Sequence, residues 1–234
     1  MINIQAIQKP RREDAGLSLS VHSIFATIQG EGIFAGHPAI FIRLAGCNLQ
    51  CPLCDTEYTK DAVELTIDFI SDQVRGMISF DRINNPLVVI TGGEPFRQNI
   101  TPLVDALSNF AIVQIETNGT LPPSSDFPKY AKVVCSPKTG KVHPKLFCFI
   151  TAYKYVVNFN QLSEKDGLPL TALDHSASPQ LARPHKDFNG PIYLQPCDMQ
   201  VEQLNKLNLD AVIKSCLKFG YILQLQIHKI IGVA

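Results

Sequence analysis

Three cysteines within eight residues constrain what this chain can fold into more than any other stretch of its sequence. Cys47, Cys51 and Cys54 follow the apolar run 39–44 with the spacing C-x3-C-x2-C. A short loop can bring soft sulfur ligands to one metal centre without a long loop-closure cost. A structural zinc site normally has four protein ligands, and a cubic iron–sulfur cluster usually takes four cysteines. Three thiolates therefore favour an iron–sulfur cluster that leaves one iron free to bind another molecule.

Two other interpretations of these cysteines are possible. They could be buried packing residues, or they could form half of a zinc knuckle. His37 and Asp55 are the nearest candidates for a fourth zinc ligand, but they do not complete a familiar zinc pattern. The four remaining cysteines are interpreted as small packing residues; they are Cys135, Cys148, Cys197 and Cys216.

The composition fits an enzyme that acts on a small molecule. Hydrophobic residues make up 45% of the 234 residues, which is enough for a sizeable core. Lys plus Arg and Asp plus Glu number 21 each, so no net positive field attracts nucleic acid or an anionic membrane. Residues 1–17 lack the apolar segment of a signal peptide, and no uninterrupted apolar run approaches transmembrane length. We expect a cytoplasmic protein with neither a nucleic-acid nor a membrane partner.

Strand patterns alternate with helix patterns along most of the chain. Strands are predicted over 18–26, 39–44, 87–91, 111–117, 132–136, 153–158, 192–194 and 221–227. Helices are predicted from Thr66, from Thr101-Pro102 and over 201–219, with a candidate break near Asn208. The alternation favours a parallel sheet with right-handed crossovers. There are too few units for an eight-fold barrel, so the prediction is an α/β fold: a shortened, partly open (βα) barrel forming one domain over 1–234.

One stretch does not fit the alternation. Residues 161–189 are polar and are interrupted by three prolines, so they are predicted to form a surface insertion that the chemistry does not need. Gly30, Gly32 and Gly36 approach a dinucleotide-binding fingerprint, but their spacing is one residue too long and a strand follows at once. The nucleotide interpretation is therefore rejected.

Residues of unusual chemistry fall at the carboxyl ends of the predicted strands. The cysteines follow one strand, and four further strands end in Gly92-Gly93-Glu94-Pro95, Glu116-Thr117-Asn118-Gly119, Ser136-Pro137-Lys138 and Gln195-Pro196. His228 closes the last predicted strand. In barrel-like α/β folds this edge is the active-site face. We therefore expect all six sets to meet at one rim.

The cysteine spacing and the Gly-Gly-Glu-Pro motif together resemble the radical S-adenosylmethionine (radical SAM) enzymes. Within that superfamily the chain resembles the 7-carboxy-7-deazaguanine synthase family, from about residue 20 onward and interrupted mainly by 161–189. The matching motifs span 28–32, 41–44, 54–56, 91–95, 116–119, 136–138, 194–196 and 226–229. Their number and order make the resemblance specific.

The resemblance implies a homodimeric lyase of queuosine biosynthesis. Such an enzyme converts 6-carboxy-5,6,7,8-tetrahydropterin into 7-carboxy-7-deazaguanine with loss of ammonia. A [4Fe–4S] cluster would reduce S-adenosylmethionine, and the resulting 5′-deoxyadenosyl radical would take hydrogen from C6 of the substrate and later return it. The implied cofactors are the cluster, S-adenosylmethionine and Mg²⁺. The electron would come from a donor protein such as a flavodoxin.

The resemblance also implies roles for particular residues, none of them a protein acid or base. Cys47, Cys51 and Cys54 would bind the cluster. S-adenosylmethionine would contact Leu53, Asp55, Gly93, Glu94, Glu116, Ser136, Pro137, Lys138 and Gln195. The substrate would contact Ile28, Gln29, Gly30, Glu31, Arg43, Thr91 and His228. The position before the third cysteine is usually aromatic in the family, so Leu53 keeps an apolar wall but loses stacking.

Four of these assignments have plain structural alternatives. Arg43 suits a carboxylate, because a guanidinium matches two oxygens, but it could form a salt bridge at a strand end. Thr56 follows the last cysteine and could bind Mg²⁺, or it could cap a turn. His228 could equally be a core histidine, and Glu31 could be a solvated turn residue. Two rival functions are a radical SAM activase acting on a protein partner and a non-catalytic metal or electron-transfer protein.

Overall fold

A single nine-stranded sheet organises the chain. The computed structural model describes residues 3–11, 15–78, 85–175 and 180–233. The strands are β1 (Ser18–Ile28), β2 (Pro38–Leu44), β3 (Val63–Thr66), β4 (Leu87–Gly92), β5 (Ile112–Thr117), β6 (Lys132–Cys135), β7 (Ile150–Val157), β8 (Ile192–Pro196) and β9 (Ile222–Leu223). The α-helices are α1 (Ile67–Met77), α2 (Thr101–Ser108), α3 (Glu202–Phe219) and α4 (Ile227–Ile231). Short 3-10 turns lie at Gly32–Phe34, Pro95–Arg97 and Pro144–Leu146.

The sheet is open, with the strand order β3-β1-β2-β4-β5-β6-β7-β8-β9. The pairs from β2–β4 through β8–β9 are parallel, whereas β1 is antiparallel to both of its neighbours, β2 and β3. The expected shortened, partly open α/β architecture is confirmed. The first strand departs from the predicted parallel order because only nine residues join β1 to β2, which is too few for a crossover connection.

Alternate residues of the strands face a helix-covered core and an inner cavity. In β2, Ile40 and Ile42 are fully buried in the core, while Arg43 lines the cavity. In β7, Tyr155 belongs to the core and Lys154 lines the cavity. This two-residue period is what a pleated strand imposes. Charged side chains can therefore lie within largely apolar strands.

The helices begin and end largely as their sequences indicate. The hydroxyl of Thr66 accepts the backbone N–H of Phe69 and so caps α1. Gly220 ends α3 in the left-handed conformation, with φ of 79°. The candidate break near Asn208 is wrong, since α3 is continuous there. Buried Asn208 instead accepts the N–H of Phe159 at 2.9 Å and donates to the carbonyl of Cys197 at 2.7 Å, which ties α3 to the ends of β7 and β8.

The last predicted strand, 221–227, is wrong in most of its length. Only Ile222 and Leu223 pair with β8, and α4 begins at Ile227. The buried side chain of Gln224 turns the chain toward the loop after β1, where it accepts the N–H of Gly32 at 2.7 Å and donates to the carbonyl of Gly30 at 3.1 Å. His228 consequently lies on a short helix rather than at a strand end.

The described part of segment 161–189, which excludes 176–179, is tied to the core. Leu168 and Leu181 are buried in the main cluster of apolar side chains. Arg183 forms two hydrogen bonds with the carboxylate of Asp166, at 2.8 and 3.1 Å. The sequence predicted the lack of regular structure but not these attachments. Within the described residues, no helix combines the length and the apolar character needed to span a bilayer.

Candidate active site at the carboxyl edge of the sheet

A cavity of about 550 Å³ opens at the carboxyl edge of the parallel strands. Its lining comes from the loops after β2, β4, β5, β6 and β8 and from α4, so the expected sets of residues do face one space. The predicted site residues that line it are Ile28, Gln29, Glu31, Arg43, Cys47, Cys51, Leu53, Cys54, Asp55, Thr56, Thr91, Gly93, Glu116, Ser136, Lys138, Gln195 and His228. Gly30, Glu94 and Pro137 lie behind this lining.

The glycines after β4 bring the backbone against the start of the cysteine loop. The N–H of Gly93 donates to the carbonyl of Leu44 at 3.0 Å, and the N–H of Glu94 donates to that of Gly46 at 3.0 Å. A Cβ atom on Gly93 would lie 2.0 Å from the Gly46 oxygen. No side chain larger than hydrogen fits there, so this motif positions the cysteine loop.

Glu94 is fully buried and acts as a brace between loops. Its carboxylate accepts the N–H of Phe96 at 3.0 Å, the hydroxyl of Thr117 at 2.7 Å and the N–H of Asn118 at 2.7 Å. Burial raises the pKa of Glu94 to about 7, despite these three donors. The contacts connect the turn after β4 to the turn after β5 behind the cavity.

The three thiols of the cysteine loop are free and line the same cavity. Burial raises the pKa of Cys47 to about 12 and that of Cys51 to about 11. The N–H of Leu49 donates to the Cys47 sulfur at 3.4 Å. Among the described residues, no three His, Cys, Asp or Glu side chains surround a single-ion site.

A buried ion pair that the sequence did not predict lines the same cavity as the thiols. Glu31 and Lys154 are in direct contact, and each side chain is 11% exposed. Gln226 also donates to Glu31, at 2.8 Å. Burial alone would raise the pKa of Glu31, but Lys154 and Gln226 lower it to about 2, and Glu31 in turn raises the pKa of Lys154. Glu31 is therefore an ionised acceptor and not a solvated turn residue.

Arg43 lacks a partner for one of its buried nitrogens. Its guanidinium lies 5.1 Å from the ring centre of Phe25, and its buried Nε has no hydrogen-bond partner among the described residues. None of the ion pairs that the described residues form includes Arg43. The described residues thus contain no salt bridge at Arg43. Burial lowers the pKa of Arg43, and the carboxylates of Asp55 and Glu116 oppose that shift.

The C-terminal helix covers one side of the cavity mouth. Lys229 Nζ lies 3.2 Å from Asp55 Oδ2 and 3.0 Å from Asp198 Oδ2. His228 is half-buried and faces the cavity, so it is not a core histidine. A Cβ atom on Gly30 would lie 1.9 Å from His228 Nδ1. Gly30 is thus needed to admit the imidazole.

Segment 161–189 also reaches this cavity. The carbonyl of Leu173 accepts the N–H of Leu53 at 3.2 Å, and both leucine side chains line the cavity. Leu173 has φ of 53° and Asp174 has φ of 54°. Two consecutive left-handed residues without glycine cost conformational energy, so tertiary contacts must hold this turn. No local sequence pattern indicates this contact between residues 120 positions apart.

Several known proteins are similar to the chain over nearly its whole length. A 7-carboxy-7-deazaguanine synthase from Rhodospirillum rubrum is 38% identical over 229 residues, which cover 94% of this chain and 94% of that protein. The synthase from Rickettsia prowazekii is 41% identical over 227 residues, covering 93% and 90%. The crystal structure of QueE from Escherichia coli has a TM-score of 0.66 and 26% identity, over 89% of this chain and 94% of the other. No family model matches the sequence.

An open α/β sheet with three cysteines at the mouth of a cavity on its carboxyl edge defines a radical SAM enzyme. The sequence identity and coverage of the relatives show which family within this class the chain belongs to. The chain belongs to the 7-carboxy-7-deazaguanine synthase family.

The Glu31–Lys154 pair predicts a specific pH dependence of stability. Because the folded pKa of Glu31 is about 2 and its ordinary value is 4.5, the pair stabilises the fold above pH 4.5, and this contribution is lost as the pH falls toward 2. Glu31→Gln should lower the free energy of unfolding at neutral pH and make its decline shallower over that acid range. Urea unfolding of the iron-free protein at a series of pH values measures both effects.

Glu64→Gln is the matched control. Glu64 pairs with Arg11 at 2.5 Å, but these side chains are 50% and 37% exposed, and exposed pairs contribute little. Equal pH slopes for the parent and Glu31→Gln would contradict the assignment of an ionised, buried Glu31.

Proposed function

We propose that this cavity converts 6-carboxy-5,6,7,8-tetrahydropterin into 7-carboxy-7-deazaguanine with loss of ammonia. The family of the chain supports this reaction. The observation that supports this cavity as the site is that Arg43 lines it together with three free thiols. The guanidinium of Arg43 suits an anionic substrate, and the three thiols suit a cluster. The reaction needs no net oxidant, since the product and ammonia together contain the atoms of the substrate.

The protein residues bind and orient the substrate. Arg43 offers a guanidinium to the substrate carboxylate, and Glu31, held ionised by Lys154, can accept N–H groups from the pyrimidine edge of the pterin. Gln29 and Thr91 donate to Glu116, at 3.1 and 3.3 Å. That network fixes polar side chains between the strand ends. His228 closes the open side from α4.

Cys47, Cys51 and Cys54 would hold a [4Fe–4S] cluster. The cluster and S-adenosylmethionine, when bound, supply the radical chemistry. S-adenosylmethionine would occupy the space lined by Leu53, Asp55, Gly93, Glu116, Ser136, Lys138 and Gln195. The buried Gln195 Oε1 has no hydrogen-bond partner among the described residues, so it offers an acceptor to this ligand. Glu94 and Pro137 would act from behind, by shaping the loops.

The same proposal extends to partners and location. Seven free cysteines are typical of a reducing compartment such as the cytoplasm, where a protein such as a flavodoxin could supply the electron.

Edge strand β9 and helix α4 expose four apolar side chains, Ile222, Leu223, Ile230 and Ile231. A second copy of the chain could cover this surface, because exposed apolar patches beside an edge strand mark association sites. This surface supports the proposal of a homodimer.

Anaerobic turnover tests the reaction. Protein loaded with iron and sulfide should release 7-carboxy-7-deazaguanine and ammonia when given S-adenosylmethionine, a reductant, Mg²⁺ and the carboxypterin. Cys51→Ala should lose both the cluster absorbance and turnover, because one thiolate ligand is gone. Arg43→Lys should keep the cluster but lower kcat/KM by roughly tenfold to a hundredfold, the range expected for a lost charge-assisted hydrogen bond.

Arg75→Lys is the matched control, because Arg75 is exposed on α1. Full cluster loading without deazaguanine formation would refute the proposed reaction. A radical appearing on an added protein partner would favour the activase alternative. A Cys51→Ala variant with full iron content would refute the ligand assignment.

Mg²⁺ binding is proposed for the hydroxyl of Thr56. Thr56 lines the cavity beside the last cysteine, and its hydroxyl lies 3.4 Å from Asp55 Oδ1. Mg²⁺ prefers hard oxygen ligands and retains water, so one neutral protein ligand together with substrate oxygens can suffice.

Thr56→Val should keep the cluster and S-adenosylmethionine binding but lose the stimulation of turnover by Mg²⁺. Thr59→Val is the control, since the Thr59 hydroxyl donates to Glu57 instead, at 2.8 Å. Unchanged Mg²⁺ dependence in Thr56→Val would mean that Thr56 is not a ligand.

Segment 161–189 is proposed to contribute one side chain to cofactor binding. Leu173 lies beside Leu53. The position of Leu53 is usually aromatic in the family. The two leucines together can form the apolar wall for adenine. Leu173→Ala should weaken S-adenosylmethionine binding to the cluster-loaded protein by roughly threefold to tenfold, as expected for lost apolar contact. Equilibrium dialysis measures the Kd. Adding Leu53→Phe should restore part of the affinity.

Leu170→Ala controls for this prediction, because Leu170 belongs to the same segment, is 37% exposed and does not line the cavity. Equal Kd values for Leu170→Ala and Leu173→Ala would mean that Leu173 does not contribute to cofactor binding and that the segment is a dispensable surface insertion.

A further inference from the structure

Residues 3–11 form an N-terminal arm that runs along the outer side of the cysteine loop, residues 47–58. The arm lies outside the hydrophobic core, since Ile4 is 88% exposed and Ile7 is 62% exposed. Burial of apolar surface therefore does not explain its position. It is attached by hydrogen bonds, to the cysteine loop through residues 3–8 and to Arg97 through Lys9 and Arg11.

Backbone groups of the arm bind carbonyls of the cysteine loop. The N–H of Gln8 donates to the carbonyl of Cys47 at 2.7 Å, and the N–H of Asn3 donates to that of Pro52 at 2.8 Å. A Cβ atom on Gly46 would lie 2.2 Å from Gln8 Oε1, so the approach is close. The arm thus follows the loop from its first cysteine to the residue after its second.

Two amide side chains of the arm add bonds that depend on residue type. Asn3 Nδ2 donates to the carbonyl of Cys51 at 3.1 Å and to the hydroxyl of Tyr58 at 3.3 Å. Gln5 Nε2 donates to the carbonyl of Thr56 at 2.8 Å, while Gln5 Oε1 accepts the N–H of Tyr58 at 2.7 Å. Only a side chain with both a donor and an acceptor can make the second pair of bonds.

The loop itself has little internal support. Among the described residues, one backbone hydrogen bond joins two residues between Cys47 and Cys54. It runs from the N–H of Cys54 to the carbonyl of Cys51, at 3.1 Å. A segment without helix or strand opens easily unless other parts of the chain hold it. The arm supplies that support at Cys47, Cys51 and Thr56.

We infer that Asn3, Gln5 and Gln8 are positioning residues that hold the cysteine loop in the conformation that receives the cluster and slow its opening. The part of the inference that concerns the cluster rests on the proposed function. The part that concerns the loop does not, because these hydrogen bonds join groups of the protein to one another.

The variant Asn3→Ala/Gln5→Ala tests this inference, with Ile4→Ser/Ile7→Ser as the matched control on the exposed side of the same arm. The first measurement is hydrogen exchange of the Cys54 amide in the iron-free protein. This amide bonds within the loop and not to the arm, so it reports loop opening and not the direct loss of a partner. Its exchange should be roughly tenfold faster in the Asn3/Gln5 variant, because each lost bond shifts local opening several-fold.

The second measurement is the anaerobic loss of cluster absorbance to an iron chelator. The Asn3/Gln5 variant should lose its cluster roughly tenfold faster than the parent, with the same thermal midpoint of the iron-free protein. Gln5→Glu, which keeps the acceptor for Tyr58, should lie between the two. Parent-like exchange and parent-like chelation in the double variant would overturn the inference. A parent protein that takes up no cluster would count against the proposed function alone, since the exchange comparison needs no iron.

Discussion

The close approach of two backbone segments, after β2 and after β4, determines where the cysteines lie. These strands are parallel neighbours, with Leu44 opposite Gly92, so their carboxyl ends emerge side by side. Hydrogen bonds from Gly93 and Glu94 to Leu44 and Gly46 then fix the first turn of the cysteine loop. A Cβ atom on Gly92 would lie 2.2 Å from the Leu44 oxygen. Gly92 and Gly93 thus have a structural role, which is to hold the cysteine loop against the sheet.

The second constraint is electrostatic, because the cavity holds charges inside an apolar fold. Burying an unpaired charge is costly, so most charged groups here have partners. Glu31 is paired with Lys154, and Glu116 accepts from Gln29 and Thr91. Arg43 forms none of the ion pairs of the described residues, but the carboxylates of Asp55 and Glu116 oppose the lowering of its pKa by burial.

Most of the fold and the meeting of the motifs could be predicted from sequence, for a physical reason. Parallel strands present their carboxyl ends at one edge, so the order of the motifs along the chain was sufficient to bring them together. Lys154 escaped prediction because an isolated lysine in an apolar strand does not reveal which face it occupies. Strand β3 was missed because its apolar–polar alternation spans only four residues, most of which are exposed. The end of β9 depended on Gln224 bonding to a loop almost 200 residues away, which local patterns do not encode.

The cysteine loop shows why such long-range contacts matter more at the site than in the sheet. A strand takes its conformation from a ladder of regular hydrogen bonds, whereas this loop contains almost none of its own. Three distant parts of the chain hold it instead: Gly93 at its base, the arm residues Asn3 and Gln5 on its outer side, and Leu173 at Leu53. Each contact alone contributes about 1 kcal/mol, the net value of an ordinary hydrogen bond. Because the loop must keep three thiols at a fixed spacing, the contacts act together, and the loss of any one loosens the same structural unit. The geometry of the thiols is therefore a property of the whole chain and cannot be assigned to the C-x3-C-x2-C segment alone.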